Sequence, residues 1–244
     1  MKTYAIVPAA GMGKRFGNGT NKPFLPLGGE PLLIWALRTL ESIPQVTEII
    51  PVLKTEDFDE ARRIFEAYGL KKVLQIAPGG RERQDSVRSG LRLVQDQRGI
   101  VLIHDGVRPL IEKDLVHQAI EEIKEAAEPS QLRHTSADPG VSGVVLGVPP
   151  KDTIKEAEGG FIRKTLARDS LRAVQTPQVF PYEVIAGAYE KARQEGYYST
   201  DDAALVERYG GRIKVIPGSY LNIKITTPED MVIAESLISG RIFS

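Results

Sequence analysis

A chain of 244 residues suits one large α/β domain, or one domain plus an appendage, and its 32 Lys plus Arg balance 32 Asp plus Glu. A formal net charge of zero excludes a general nucleic-acid binder, so any anion site must be built locally from clustered cations and backbone donors. The absence of cysteine excludes disulfides, thiolate metal sites and cysteine nucleophiles, and three scattered histidines (His104, His117, His134) are too few for a histidine-rich zinc site.

The chain enters a strand-like run at Tyr4–Val7 almost at once, without the apolar core of a signal peptide. No stretch approaches the ~18 apolar residues of a membrane span. A cytoplasmic protein with no membrane partner is expected. Pro31–Leu40 carries a proline at a first-turn position and Leu33, Leu37 and Leu40 at helical spacing. A strand follows at Glu48–Leu53, a helix at Asp57–Tyr68, a strand at Lys72–Ile76 and a helix at Gln84–Val94. Then come a strand at Ile100–His104 and a helix at Lys113–Ala127. This alternation implies βαβ units and a mostly parallel sheet.

The rhythm breaks at Glu128–Val141, a polar loop containing prolines. A strand at Gly143–Val148 precedes two short runs, Thr153–Lys155 and Phe161–Thr165, around Gly159-Gly160, the pattern of a β-hairpin. Its faces are too polar to bury well, so it should project. A lone two-stranded arm is marginal in water and needs something to pack on, such as a second subunit. Beyond Pro181 helices are expected to about Gln194, at Thr200–Tyr209 and at Pro228–Ile238, with a strand at Arg212–Ile216.

Ligands of parallel sheets bind beyond the carboxyl ends of the strands, which directs attention to three segments. The first, A-A-G-M-G-K-R after Val7, is either an ordinary turn or a phosphate cradle. Gly11 and Gly13 permit close approach, main-chain N–H groups in such a loop surround phosphate oxygens, and Lys14, Arg15 and Lys22 add charge. It matches neither G-x-x-x-x-G-K-[ST] nor G-x-G-x-x-G. The second, P-G-G-R-E-R-Q-D-S-V from Pro78, reads as a turn and a charged first helical turn. Gly80 and Ser86 are nevertheless placed to meet a ligand. The third is H-D-G-V-R-P from His104. An aspartate directly after a buried strand requires a positive partner, either Mg²⁺ or Arg108, and His104 is read as structural.

These segments occur in one order with K-P-F-L-P-L-G-G-E-P-L-L, K-D-T-I-K, T-P-Q-V-F, T-D-D-A and N-I-K-I-T-T-P-E-D. Over nearly its whole length the chain resembles the 2-C-methyl-D-erythritol 4-phosphate cytidylyltransferase family of the non-mevalonate isoprenoid pathway. The resemblance implies a Rossmann-like nucleotidyltransferase fold, with helices on both faces of the sheet and a protruding β-arm at 149–170 within a single domain, 1–244. It implies CMP transfer from CTP to a sugar-alcohol phosphate, release of pyrophosphate, Mg²⁺ as cofactor, and a homodimer joined through the arm. Carried over, the phosphate loop falls on Ala9, Ala10 and Gly11, and the cations that stabilise the transition state on Arg15 and Lys22. Gly80, Arg83 and Ser86 hold the cytidine end, and Asp105 the metal–triphosphate region. Thr153, Arg168 and Lys224 hold the acceptor. Lys22 precedes Pro23 where the family usually has Gln. The nearest alternative is a ribitol-5-phosphate cytidylyltransferase, whose phosphate loop usually reads L-A-G-G.

Overall fold

The computed structural model describes residues 1–11, 21–127 and 140–240. In chain order its elements are β1 (Thr3–Pro8), β2 (Pro26–Leu27), β3 (Glu30–Pro31), α1 (Leu32–Glu41), β4 (Val46–Leu53) and α2 (Phe58–Ala67). Next come β5 (Ala77–Pro78), α3 (Arg83–Leu91), β6 (Ile100–Ile103), α4 (Lys113–Ala127) and β7 (Val141–Val148). The chain continues through β8 (Lys155–Glu158), β9 (Phe161–Thr165), β10 (Ala173–Pro181), α5 (Tyr182–Glu195), α6 (Asp202–Arg208), β11 (Arg212–Pro217) and α7 (Pro228–Ile238).

Seven strands form one sheet in the order β11-β7-β10-β6-β1-β4-β5. Only β10 runs antiparallel to its neighbours, β6 and β7. Helices cover both faces, because the strands alternate with a period of two. Ala5 and Val7 of β1 pack with Leu33 and Leu37 of α1, Phe65 of α2 and Ile120 of α4. Tyr4 and Ile6 face the opposite way, toward Val87 of α3, Ile185 of α5 and Leu205 of α6. Each fully buried Leu or Ile of this kind contributes about 1.5–3 kcal/mol. A smaller cluster joins Leu27, Leu32, Ile225 and Ala234, seating α7 against β2 and the start of α1.

Several sequence expectations are corrected. Lys72–Ile76 is not a strand: Val73 makes an isolated bridge to Ile49, and the pairing with β4 falls on Ala77–Pro78. The first arm strand begins at Lys155, later than Thr153. Pro31 caps α1 from outside and so is not in its first turn. The strand β10 is absent from the sequence reading, because Pro177 cannot donate to a ladder and argues against a central strand. The sheet accommodates it with a register shift between Gln175 and Gln178 against β7. The polar loop at Glu128–Val141 lies largely outside the described residues.

The arm strands β8 and β9 pair antiparallel through Gly159 (φ 58°) and Gly160 (φ 84°). Two consecutive positive φ angles match the twist of a tight hairpin, and glycine adopts them without strain. Every residue of both strands is exposed, including Phe161 and Ile162.

Candidate active site

The chain goes from β1 to β4 and β5 on one side of the sheet, then returns to place β6 on the other side of β1. This reversal makes the carboxyl ends of β1 and β6 the switch point where a crevice opens. His104 N–H donates to Ile6 C=O (3.0 Å) and Gly106 N–H to Pro8 C=O (3.2 Å), which locks the loop after β6 to the end of β1.

Of the loop expected to cradle phosphate, Ala9 commits its N–H to Val52 C=O at 2.8 Å. Among the described residues, the N–H groups of Ala10 and Gly11 have no protein acceptor. Gly79 lies directly against this loop, since a Cβ there would stand 2.3 Å from Cβ of Ala10. Arg15 lies outside the described residues. Lys22 is buried at the start of a short 3-10 turn, Lys22–Phe24. Pro23 occupies the first turn, where its missing N–H has no helical acceptor to lose.

At the second strand end, a reciprocal capping box of Glu82 and Asp85 starts α3. Gly80 N–H donates to Ser86 Oγ (3.0 Å), and Ser86 Oγ–H donates to Glu82 C=O (3.2 Å). Ser86 therefore braces the glycine loop. Arg83, the first residue of α3, donates Nε–H to Asp105 Oδ1 at 3.0 Å, and its two terminal nitrogens to Asp202 at 3.0 and 2.8 Å.

Asp105 is the electrostatic centre of the site. Its Oδ2 lies 2.7 Å from Lys224 Nζ and 3.7 Å from Arg108 Nε. Burial would push the Asp105 carboxyl up, but Arg83, Lys224 and Arg108 together outweigh it and hold the group far below the usual carboxylate range. The same carboxylate therefore has Arg108 as one partner and two further cations from distant segments. Among the described residues no group of three or more His, Cys, Asp or Glu forms a protein-only metal cage. A single carboxylate matches Mg²⁺, which takes one or two carboxylates and completes its shell with water and substrate phosphates.

Behind Asp105, the irregular segment of β10 turns Thr176 inward, as bulges beside active sites do. Asp105 N–H donates to Thr176 Oγ1 at 3.1 Å. His104 is fully buried, and desolvation lowers its pKa to about 4, so it is neutral at pH 7. Its Nε2 faces Arg108 C=O at 3.1 Å, which requires the proton on Nε2. Nδ1 is then the acceptor for the Thr176 hydroxyl, also 3.1 Å away. This neutral, fully bonded imidazole is structural, as its sequence context suggested. Asn222 ties the last strand end in: its Nδ2 donates to Thr176 C=O (2.8 Å), and its C=O accepts from Arg108 (2.7 Å). Ile225 N–H donates to Val107 C=O (2.9 Å), so Lys224 is held from both sides.

The structure thus joins Arg83, Asp105 and Lys224 directly, and sets Ala10 and Gly80 on the adjoining loop. Thr153 and Arg168 stand apart. Both are exposed at the base of the arm, and Arg168 donates to Lys151 C=O at 2.9 Å. Among the described residues, no hydrogen bond or ion pair links either of them to the Asp105 cluster. Asp202 received no role from the sequence. T-D-D-A signals a helix start, but either aspartate suits a cap. Asp201 is that cap, accepting from Ala204 N–H at 2.9 Å, whereas Asp202 is fully buried under Arg83.

The family model for IspD, 2-C-methyl-D-erythritol 4-phosphate cytidylyltransferase, matches residues 3–240. The chain is 42% identical over 246 residues to the 2-C-methyl-D-erythritol 4-phosphate cytidylyltransferase of Geobacter metallireducens, covering 99% of this chain and 100% of that protein. It is also 42% identical to the enzyme of that name from Geobacillus thermodenitrificans, with 99% of each chain covered. Among solved structures, 4-diphosphocytidyl-2C-methyl-D-erythritol synthase from Anaerococcus prevotii superposes with a TM-score of 0.79 at 30% identity, covering 98% of this chain and 96% of the other. The 2-C-methyl-D-erythritol 4-phosphate cytidylyltransferase of Thermus thermophilus superposes with a TM-score of 0.73 at 28% identity, covering 96% and 98%.

Proposed function

The chain belongs to the 2-C-methyl-D-erythritol 4-phosphate cytidylyltransferase family, and from that premise we propose how its own residues carry the family's reaction. It is a nucleotidyltransferase that transfers CMP from CTP to 2-C-methyl-D-erythritol 4-phosphate, releasing pyrophosphate, in isoprenoid precursor biosynthesis. The ribitol-5-phosphate alternative is not favoured, since the matched family and relatives carry the methylerythritol name.

The nucleophile is an oxygen of the acceptor phosphate. It forms a bond to the α-phosphorus of CTP while the bond to the bridging oxygen breaks and pyrophosphate departs. An acceptor that is already anionic needs no strong base, in keeping with a neutral, buried His104. The barrier lies in bringing two anions together and in the charge that develops on the α-phosphoryl group and the leaving group. Preorganised cations act on that developing charge. Ala10 and Gly11 bind triphosphate oxygens through main-chain N–H groups. Gly80, Arg83 and Ser86 hold the cytidine end, and Arg83 also pairs with Asp105. Arg15 and Lys22 stabilise the transition state. Lys224 and Arg168, with Thr153, hold the acceptor phosphate in line, which removes much of the entropic barrier.

Asp105 would hold Mg²⁺, whose role when bound is to neutralise charge on the triphosphate. The fully exposed arm supports a homodimer in which each arm, with Thr153 and Arg168, serves the partner's site. A substrate such as CTP supports a cytoplasmic setting, and a single domain with the arm as an excursion fits the one continuous seven-stranded sheet.

The observation that carries these assignments is the convergence of Arg83 and Lys224 on the buried Asp105. Pyrophosphate release from CTP, measured with each acceptor in turn, tests them. Turnover with methylerythritol phosphate is expected to exceed that with ribitol 5-phosphate, and Asp105→Asn should abolish most of it. A higher rate with ribitol 5-phosphate, or an Asp105→Asn enzyme of undiminished rate, would overturn the assignment.

A further inference from the structure

Three successive side chains at the start of α3 all reach one neighbouring stretch of chain. Residues 196–201 run between α5 and α6, and Asp202 opens α6. Gln84 meets the main chain of this stretch at two points. Its Nε2–H donates to Tyr197 C=O at 2.9 Å, and its Oε1 accepts from Ser199 N–H at 2.9 Å. A side-chain amide offers the same donor and acceptor as a peptide unit, so both groups of Gln84 are used. Between those two points, the hydroxyl of Tyr198 donates to the carboxylate of Asp85, whose oxygens lie 3.2 and 3.1 Å away. Arg83 completes the set through its two-point pair with Asp202.

The same helical turn anchors the glycine loop ahead of it. Oδ2 of Asp85 accepts from Glu82 N–H at 3.2 Å, and Oγ of Ser86 accepts from Gly80 N–H at 3.0 Å. The 79–82 loop is therefore fastened to the first turn of α3, and that turn is fastened to residues 197–202. A loop already fixed before its ligand arrives loses less conformational freedom on binding, and the saving appears as affinity.

We propose that Gln84 and Tyr198 are positioning residues for the nucleotide: their contacts hold the first turn of α3, and with it the 79–82 loop, in the conformation that CTP binds. They act through Gly80, Arg83 and Ser86. The inference rests on the proposed placing of the cytidine end at those three residues.

The test is CTP binding by calorimetry with Mg²⁺ and without acceptor, together with steady-state kinetics. Gln84→Met keeps the length of the side chain and removes both hydrogen bonds. It should raise the Kd for CTP about five-fold or more, and Tyr198→Phe, at an exposed position, about three-fold. At saturating CTP, kcat and the KM for the acceptor should each stay within about two-fold, because bound nucleotide orders the loop itself. A Gln84→Met protein with wild-type CTP affinity overturns the proposal. Equal rises in the Kd for CTP and the KM for the acceptor overturn it too, since they mark a general loosening of the fold. Should Gln84→Met fail to fold, an unchanged affinity in Tyr198→Phe overturns it instead. Ser86→Ala separates the two levels. If it binds CTP as the wild type does, the placing of the cytidine end fails and the inference with it. If it weakens CTP binding while Gln84→Met does not, only the role of Gln84 and Tyr198 fails.

Discussion

Lys224 places its ammonium 2.7 Å from Oδ2 of Asp105, joining the segment before α7 to the loop after β6. A cation that faces both a buried carboxylate and the crevice suits the proposed role of Lys224 in holding the acceptor phosphate. Replacing Lys224 with Ala should lower kcat/KM for the acceptor by about 10²-fold, the order expected when one preorganised charge contact is lost. CTP affinity should change by no more than about three-fold. Steady-state kinetics with each substrate varied in turn gives the answer, and equal losses for both would remove the assignment.

Lys22 and Arg15 are assigned to charge that appears only in the transition state. Lys22→Ala and Arg15→Ala should therefore reduce kcat by about 10²–10³-fold and leave CTP affinity nearly intact. Single-turnover rates combined with equilibrium CTP binding distinguish this from uniform binding, in which affinity and rate fall together.

His104 makes stability depend on pH in a defined window. Its folded pKa of about 4 lies below the ordinary value of 6.5, so between these pH values the unfolded chain binds the extra proton and the folded chain does not. This contribution is fully present above about pH 6.5 and is lost as pH falls toward 4, amounting to about 3 kcal/mol at most. Urea unfolding across pH 4–8 should show a slope that His104→Gln lacks. A variant with the wild-type pH profile would show that another group is responsible.

Gly79 has no room for a side chain, since a Cβ would stand 2.3 Å from Cβ of Ala10 and 3.3 Å from Leu53 C=O. Gly79→Ala should cost about 1–3 kcal/mol through overpacking. It should also raise the KM for CTP more than that for the acceptor, because the residue displaced, Ala10, is one proposed to bind the triphosphate. Thermal unfolding and the two KM values together test this, and a larger rise on the acceptor side would contradict it.

Phe161 and Ile162 are 78% and 65% exposed on an arm that buries none of its own residues. If the proposed dimer is joined through the arm, Phe161→Asp should shift sedimentation from dimer to monomer at micromolar concentration. Activity should fall with it, if Thr153 and Arg168 work in the partner's site. A monomeric variant of full activity would separate the arm from catalysis.

Much of the sheet is written locally. In β1, Tyr4 and Ile6 face one set of helices and Ala5 and Val7 the other, a period-two pattern visible over four residues. The Gly159-Gly160 turn is equally local, since it needs only two residues that tolerate positive φ. Where long-range pairing overrides local preference, the reading fails. Pro177 hides β10, and Lys72–Ile76 has strand-like residues but only one bridge.

The sequence by itself determined the alternation of strands and helices and pointed to Asp105 behind a buried strand, while Lys22 and Lys224 were singled out through the family resemblance. It could not assign partners. Arg83 lies 22 residues from Asp105 and 119 from Asp202, and nothing near Arg83 says which carboxylate takes its fork. Asp201 and Asp202 are chemically identical neighbours. The helix start holds one as a cap, and burial beneath α3 and α5 gives the other its ion pair. Periodicity and turn chemistry act over a few residues. Desolvated charges are set by whatever the closed fold brings within about 3 Å, so only the tertiary structure decided how Asp105 is held.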